Sequence, residues 1–529
     1  MTGLDKLYDV IIAGAGPVGM MLASELSFAG ASVLVLERDP GLDAEWKRIP
    51  VGQRALTVPS LESLHRRGLL GHLADYDVSP LERQWFGVKR DGAFCFGGHY
   101  AGLELNAAQF DLTRWRYRLR GPVTRPAKSC IQEVTDMLAA RARSHGAALL
   151  FDHAVTDVVR EDEHGVTVAA GAGGSTFRGR WLVGCDGGRS AVRKLAGIGL
   201  SGSDAQFTGY MARLTFDARA GLDLGFHPAP GGMIMVFADD CIALIDYDGA
   251  AFDRRHEVTV EHFQAVADRV MGPGALTVHA LHYTSTFTDR SQDAATYRRG
   301  RVLLAGDAAH IHSPLGAQGL NLGLGDAMNL GWKLAATVRQ ELRGAARAGG
   351  GPPDTALIDS YEAERHPLAA WVLEWTRAQV TTLQPGLFGR AVLNLTRDLL
   401  ATDDGMNLVV GRVWGIAQRY ALGGDGILGH ELVGASVPDF KFADGARMGE
   451  KLRNGRGWLV DFEGRGQIKE EVVGTEFAWR VSYLAMKAED ARGLRAVLVR
   501  PDGVVAWLSE GEVGDVEELR TALRRWFSY

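Results

Sequence analysis

Tyr8-Asp-Val-Ile-Ile-Ala-Gly14-Ala15-Gly16-Pro17-Val-Gly19 is the stretch on which the fold of this chain turns. Residues 8–13 are short, apolar and β-branched, the pattern of a buried strand. Behind the glycines, Val18, Leu22, Leu26 and Ala29 recur at helical spacing, and Gly30 marks the helix end. Ser32-Val-Leu-Val-Leu36 reads as a second strand, closed by Glu37-Arg38. Each glycine of this strand–helix–strand unit has its own task. Gly14 permits the tight turn, Gly16 lets a pyrophosphate approach the backbone, and Gly19 lets helix and strand pack closely. The helix N-terminus then points its N–H groups and its positive end at the phosphates. Glu37 stands where an acid accepts hydrogen bonds from an adenosine ribose. The unit predicts a dinucleotide site.

Outward from this unit, residues 131–146 read as an amphipathic helix with Val134, Met137, Leu138 and Ala140 on one face. Residues 147–186 read as several strands ending in Trp181-Leu-Val-Gly-Cys-Asp186. Apolar runs such as Gly232-Met-Ile-Met-Val-Phe237 and Cys241-Ile-Ala-Leu-Ile245 predict a separate, largely antiparallel sheet over 205–285. Residues 301–305 predict another buried strand, followed by a Gly-rich loop and a long helix through Trp332. Residues 343–353, rich in Gly, Ala and Pro, predict a mobile loop; helices follow to 420, and a new αβ pattern begins near 425.

The whole chain is consistent with this reading. Its 529 residues suggest about three domains. Apolar residues at 46% and charged residues at 23% are ordinary for a globular protein. The net charge of −6 argues against a nucleic-acid binder and against a polybasic membrane anchor. The four cysteines, Cys95, Cys130, Cys185 and Cys241, are scattered and form no C-x-x-C pair, which argues against a disulfide framework or thiolate zinc site and for a reducing compartment. The run Val10–Ala13 is flanked by Asp5 and Asp9 and broken by glycines, unlike a signal peptide. No stretch approaches the ~18 apolar residues that span a bilayer. A cytoplasmic protein without membrane contact is expected.

Two more motifs carry chemistry. Val183-Gly-Cys-Asp186-Gly187-Gly-Arg189-Ser190-Ala-Val-Arg193, taken alone, reads as a loop after a strand. Leu304-Ala-Gly306-Asp307-Ala-Ala-His310-Ile-His312-Ser-Pro314-Leu-Gly316-Ala317-Gln318-Gly319-Leu320-Asn321 says more. A strand delivers Asp307 at its C-terminal end, where open α/β sheets bind ligands. An acid there can hold a ribityl or ribose hydroxyl. The following loop exposes N–H groups at a helix start, which suits a group that becomes anionic, such as a reduced flavin. His310 and His312 would need further ligands to hold a metal, and no Cys or Glu cluster supplies them, so no metal is expected.

In this order the three motifs resemble those of the FAD-dependent aromatic hydroxylases with the p-hydroxybenzoate hydroxylase fold, over residues 1–400. The resemblance implies an α/β, overall α+β, chain: a Rossmann-like FAD-binding domain (1–75, 100–190 and 286–400), an inserted antiparallel-sheet substrate domain (76–99 and 191–285) and a helical connector (401–424). It assigns Gly14, Gly16, Gly19 and Glu37 to the FAD-adenosine segment, and Ala15, Pro17, Arg38, Gln132 and Val155 to cofactor binding. Asp186, Gly187 and Arg193 match a fingerprint that serves FAD and NAD(P)H. Gly306 and Asp307 match the ribityl-binding segment, and Pro314, Gly319, Leu320 and Asn321 the segment along the flavin ring. Tyr361-Glu362-Ala-Glu364-Arg365-His-Pro367 matches a helix signature that serves packing. Arg54-Ala55 resembles the family's Arg-Ala pair beside the flavin, with a shorter spacing to Gly68-Leu69, and Arg48 is the alternative. Ala317 replaces a family glycine, and Leu56 and Thr57 stand where phenol hydroxylases carry an acid after that pair.

Leu498-Val-Arg500-Pro-Asp502-Gly503-Val-Val-Ala-Trp507 resembles the thioredoxin-like domain appended to phenolic and aromatic-polyketide hydroxylases, here 425–529. No cysteine follows Cys241, so this domain cannot do dithiol chemistry; a structural or dimer-supporting role is expected. The implied reaction is hydroxylation of an electron-rich aromatic, such as a natural-product phenol, by O2 through a flavin C4a-hydroperoxide. NAD(P)H is the transient reductant, and Arg54 and Pro314 stand beside the chemistry. A single strand–GxGxxG–helix fingerprint argues against a second Rossmann domain for NAD(P)H. Phe96, Tyr210, Met233, Met235 and Tyr247 are the expected substrate-lining residues. Baeyer–Villiger oxygenation on the same scaffold is the alternative, and a homodimer is a family-level expectation.

Overall fold

The structure, a computed structural model, describes residues 6–73, 96–219, 221–345, 354–422, 430–464, 466, 468–511 and 516–528. Most of the segment 76–99, and residues 346–353 of the expected mobile loop, lie outside the described residues. The opening unit forms as its pattern predicts: strand Leu7–Ala13, helix Pro17–Phe28 and strand Val33–Leu36, with Gly30 at φ +89° beyond the helix. Both strands are entered from the same side, so they pair in parallel, Ala13 opposite Leu36. On its other side Leu7–Ala13 lies parallel to Ser175–Gly184, which in turn lies parallel to Val302–Leu304. The C-terminal ends of three of these strands therefore deliver the three motifs to one edge.

A second sheet of five antiparallel strands runs in the order Gly225–Ala229, Gly232–Ala238, Cys241–Asp246, Thr208–Ala218, Leu276–Thr288. Helix Val260–Met271 covers one face through Phe263, Val266 and Val270. The other face looks toward the first domain. The helix expected to end near Trp332 continues to Ala345, taking in residues 343–345 that read as loop. It packs on helices Pro17–Phe28 and Ala356–Leu383, and Glu341 accepts from Trp181 Nε1 and Arg301, contacts that hold its last turns against the weak local signal of Gly344. Helices Ala356–Leu383, Leu387–Leu400 and Asp403–Val413 follow.

The C-terminal segment forms a four-stranded mixed sheet, Val481–Ala485, Gly457–Asp461, Ala496–Val499, Val505–Ser509, backed by helix Val516–Phe527. It docks on the first domain through buried charge. Arg500 reaches both oxygens of Glu364 (2.8 and 2.9 Å) and also bonds Asp502, and Lys333 Nζ lies 2.9 Å from Glu364. Trp332 Nε1 donates to Asp502 (3.1 Å). Burial works to raise the Glu364 carboxyl, but Arg500 and Lys333 reverse this and hold it at about 2. Burial likewise pulls the Lys333 ammonium down to about 7, against the attraction of Glu364. The Leu498–Trp507 signature is thus a docking element.

Removing one member of such a network leaves the others charged and dry. Arg500→Met is expected to cost about 3–5 kcal/mol of unfolding free energy. The urea midpoint of the full chain reads this directly, and an unchanged midpoint would show that the network carries no stability.

Candidate functional site

The phosphate cradle is built by the first glycines. Gly14 sits at φ +103°, and a Cβ there would lie 2.5 Å from the Cys185 carbonyl oxygen. A Cβ on Gly19 would lie 2.0 Å from the Gly14 carbonyl oxygen, so only hydrogen fits between helix and turn. Gly16, by contrast, has open space where its side chain would be. Helix Pro17–Phe28 has no side-chain cap and no acid in its first turn, which leaves its N–H groups and positive end available to an anion. Glu37 accepts from Ala15 N–H (2.6 Å) and Asp39 N–H (2.9 Å), so the carboxylate is fixed at the end of the second strand. Arg38 is exposed and pairs with Asp39. Gln132 is buried, accepting from Ala44 N–H and donating to Asp136, and Val155 is a core side chain.

A cavity of about 700 Å³ opens beside this cradle, between the parallel sheet and the inner face of the five-stranded sheet. Gly16, Pro17, Arg54, Gly187, Asp307, Pro314, Gly319 and Leu320 line its cofactor end. Asp307 is exposed there, beside Gly319 and His312. His312 Nδ1 donates to the Ser313 carbonyl (2.9 Å), which leaves Nε2 as a buried acceptor without a partner, and burial lowers its pKa. Asp186 Oδ1 is likewise buried and has no hydrogen-bond partner among the described residues. An open glycine face, an uncapped helix end, a carboxylate and unpartnered acceptors fit a hydroxyl-rich diphosphate such as FAD. Arg54 donates to the carbonyls of Gln53 and Val51; burial lowers its pKa, while Asp307 is its charge partner. Arg48, the alternative, is exposed and paired with Asp43.

Three residues assigned to the cofactor also bond the backbone. Asp186 Oδ2 accepts from the N–H groups of Ala191 and Val192, capping the short helix Ala191–Leu195. The Arg193 guanidinium bridges the Gly188 and Ala308 carbonyls and so ties the second motif to the third. Asn321 accepts from Thr57 N–H and Ser60 Oγ and donates to the Ala55 and Ala317 carbonyls, locking the Arg54 strand to the helix of the third motif. His310, wholly buried, bonds Asp326 (2.6 Å).

Of the expected substrate residues, Phe96 and Met235 line the cavity. Tyr210 does not: strand alternation turns it to the far face, against His262 (3.1 Å) and Phe263, and sends Met211 to the cavity. Met233 is core under the turn at Gly102, and Tyr247 donates to the Val380 carbonyl (2.6 Å) away from the cavity. Tyr283, Ser285 and Phe287, at alternate positions of one strand, are cavity residues that the sequence reading missed, as are Phe226, Phe237 and His99. The two-residue spacing of Tyr283, Ser285 and Phe287 was the available signal for that strand.

Residues 7–376 match the FAD binding domain family, and residues 430–529 match the C-terminal domain of aromatic-ring hydroxylases. A monooxygenase of Claviceps purpurea is 42% identical over 98% of this chain and 97% of its own length. The 12-dehydrotetracycline 5-monooxygenase/anhydrotetracycline 6-monooxygenase of Streptomyces rimosus is 36% identical over 98% and 99%. The solved anhydrotetracycline hydroxylase from Streptomyces rimosus superposes with a TM-score of 0.81 at 34% identity, covering 99% of this chain and all of that one. The chain belongs to the FAD-dependent aromatic-ring hydroxylases, and is a flavin-dependent monooxygenase.

The two neighbouring glycines give contrasting expectations. Gly19→Ala should cost about 1–3 kcal/mol of stability in the apoprotein through overpacking. Gly16→Ala, whose φ of −69° suits any residue, should leave the apoprotein's melting temperature unchanged. It should nonetheless weaken FAD binding about tenfold or more, since about 1.4 kcal/mol of lost contact suffices. Melting curves of the apoproteins and flavin absorbance retained on gel filtration separate the two. Equal destabilisation by both changes would contradict this division of tasks.

Proposed function

We propose that the enzyme hydroxylates a polycyclic, oxygen-rich aromatic of natural-product type, taking electrons from NAD(P)H and oxygen from O2. The observation that carries this reading is the cavity. Its wall away from the cofactor end is broad, apolar and aromatic, formed by Met211, Phe226, Met235, Phe237 and Phe287, which suits the flat faces of a fused-ring substrate. The anhydrotetracycline relatives favour hydroxylation of such a ring system over Baeyer–Villiger oxygenation.

FAD, when bound, supplies the electron transfer and oxygen activation that hydroxylate the ring. The chain supplies placement. Gly14, Gly16 and Gly19 with the uncapped helix end hold the diphosphate; Asp307 and His312 Nε2 hold hydroxyls of the linking chain. Pro314, Gly319 and Leu320 border the ring system. Arg54 sets a positive field at the junction of the two ends, which favours an anionic ring oxygen and so raises the nucleophilicity of the ring carbon. The apolar wall excludes water from the reacting centre. NAD(P)H docks transiently. Among the described residues no helix is long and apolar enough to cross a membrane, in keeping with a cytoplasmic enzyme; a homodimer completes the proposal.

Anaerobic reduction of the flavin by NADPH is the test, with and without polycyclic phenols and quinones. At least one compound is expected to accelerate reduction by more than about tenfold, the equivalent of 1.4 kcal/mol. Equal rates with every compound would remove the substrate-gated hydroxylase reading.

A further inference from the structure

His99 is the one imidazole on the substrate side of the cavity among the described residues. Its strand, Phe96–Tyr100, is held at both ends. Trp414 Nε1 donates to the Gly97 carbonyl (2.6 Å), and Ala101 N–H donates to Gln379 of the long helix (3.0 Å). The ring is also fixed, lying 3.9 Å from Phe226 between centroids. Its tautomer follows from one bond. Gly102 N–H donates to Nδ1 (3.3 Å), so Nδ1 bears no proton and the neutral ring carries its proton on Nε2. Burial holds the ring neutral, lowering its pKa to about 4.

The rest of the wall makes this donor informative. Arg54, Arg125, Cys185, Tyr283, Asp307 and His312 are the other ionisable side chains that line the cavity among the described residues, and burial keeps the Cys185 thiol protonated. Asp307 is the only carboxylate among these described residues, and it stands at the cofactor end beside Gly319. Leu56 and Thr57 occupy the positions after Arg54-Ala55. An ordinary phenol loses its proton near pH 10 and would need a base. Among the described residues the substrate wall offers the His99 N–H donor and the Tyr283 and Ser285 hydroxyls, with the Arg54 guanidinium at the junction of the two ends; the N–H and the guanidinium favour an oxygen that is already an acceptor.

We infer that His99 Nε2–H holds a ring oxygen of the substrate, and that this substrate is an acidic hydroxyquinone or enolised polycarbonyl whose oxygen arrives ionised, rather than a simple phenol. The inference rests on the hydroxylase reading and narrows it. His99 gives the oxyanion a hydrogen bond, Arg54 gives it a field, and no proton transfer to the protein is required.

Three probes test it on the FAD-loaded full chain: 2-hydroxy-1,4-naphthoquinone, its 2-methoxy ether and 1-naphthol. The hydroxyquinone is expected to bind most tightly and with the visible absorption of its anion. His99→Leu should weaken it by about tenfold or more, the usual worth of a hydrogen bond to a charged group. His99→Gln, which keeps an N–H donor, should recover most of the loss. The methoxy ether should bind equally to all three proteins. Flavin absorbance and melting temperature check that each variant is folded; the wild-type ranking of the three probes stands without any variant. Tighter binding of 1-naphthol or of the ether, no binding of the hydroxyquinone, or an unchanged affinity in folded His99→Leu would each overturn the inference. None of these outcomes touches the hydroxylase reading, which falls only if no aromatic accelerates flavin reduction.

Discussion

Asp326 has no solvent exposure, and the site is assembled around the need to satisfy it. Its carboxylate accepts from Gly306 N–H (2.9 Å), from His310 Nε2 (2.6 Å) and from Arg365 Nε (2.7 Å). Burial alone would raise this carboxyl, but Arg365 and His310 outweigh it and keep it ionised. Burial would equally strip His310 of its proton, and Asp326 prevents that. A buried charge without partners costs several kcal/mol, so the three elements that carry these groups have no cheap way to separate. Arg365 extends the constraint by donating to Tyr420 Oη and the Leu322 carbonyl. The turn that bears Asp307 and His312 is thereby set on a rigid base, and rigidity is what a site that must place a large cofactor requires.

Much of this was legible in the sequence because it rests on local chemistry. A glycine that would collide with a backbone oxygen, a proline at a helix start and a β-branched run announce themselves without tertiary context. Gly14, Gly19, Pro17 and residues 8–13 belong to that class. Asp186, Arg193 and Asn321 also stand out in motifs, yet Asp186 Oδ2 holds backbone N–H groups of its own motif, while Arg193 and Asn321 hold backbone groups of other segments. A motif marks a residue with a task; whether it touches ligand or holds the loop that does is a three-dimensional matter.

The substrate side was less legible, for a reason specific to sheets. A strand with apolar residues on both faces carries no alternation to tell one face from the other. In Thr208–Ala218, Tyr210 packs under a helix while Met211 meets the cavity. In Gly232–Ala238, Met233 and Met235 share a face, yet the hairpin at Ala101-Gly102 covers only the first. His99 sits on that hairpin and was missed because a lone histidine next to two glycines has no pattern at all.

The docking of the C-terminal domain bears on how such enzymes can be recombined. Its contact with the rest of the chain is written in charges that have no water to fall back on: Arg500 and Asp502 on one side, Lys333, Glu364 and the Trp332 indole on the other. Arg67 adds a second strut, pairing with Glu25 while donating to the Leu452 and Pro501 carbonyls. A tail grafted from another protein brings its own half of this arrangement and meets a foreign half. Chimaeras therefore have to exchange the tail together with the helix face that receives it, and the domain travels as half of a lock, not as an accessory.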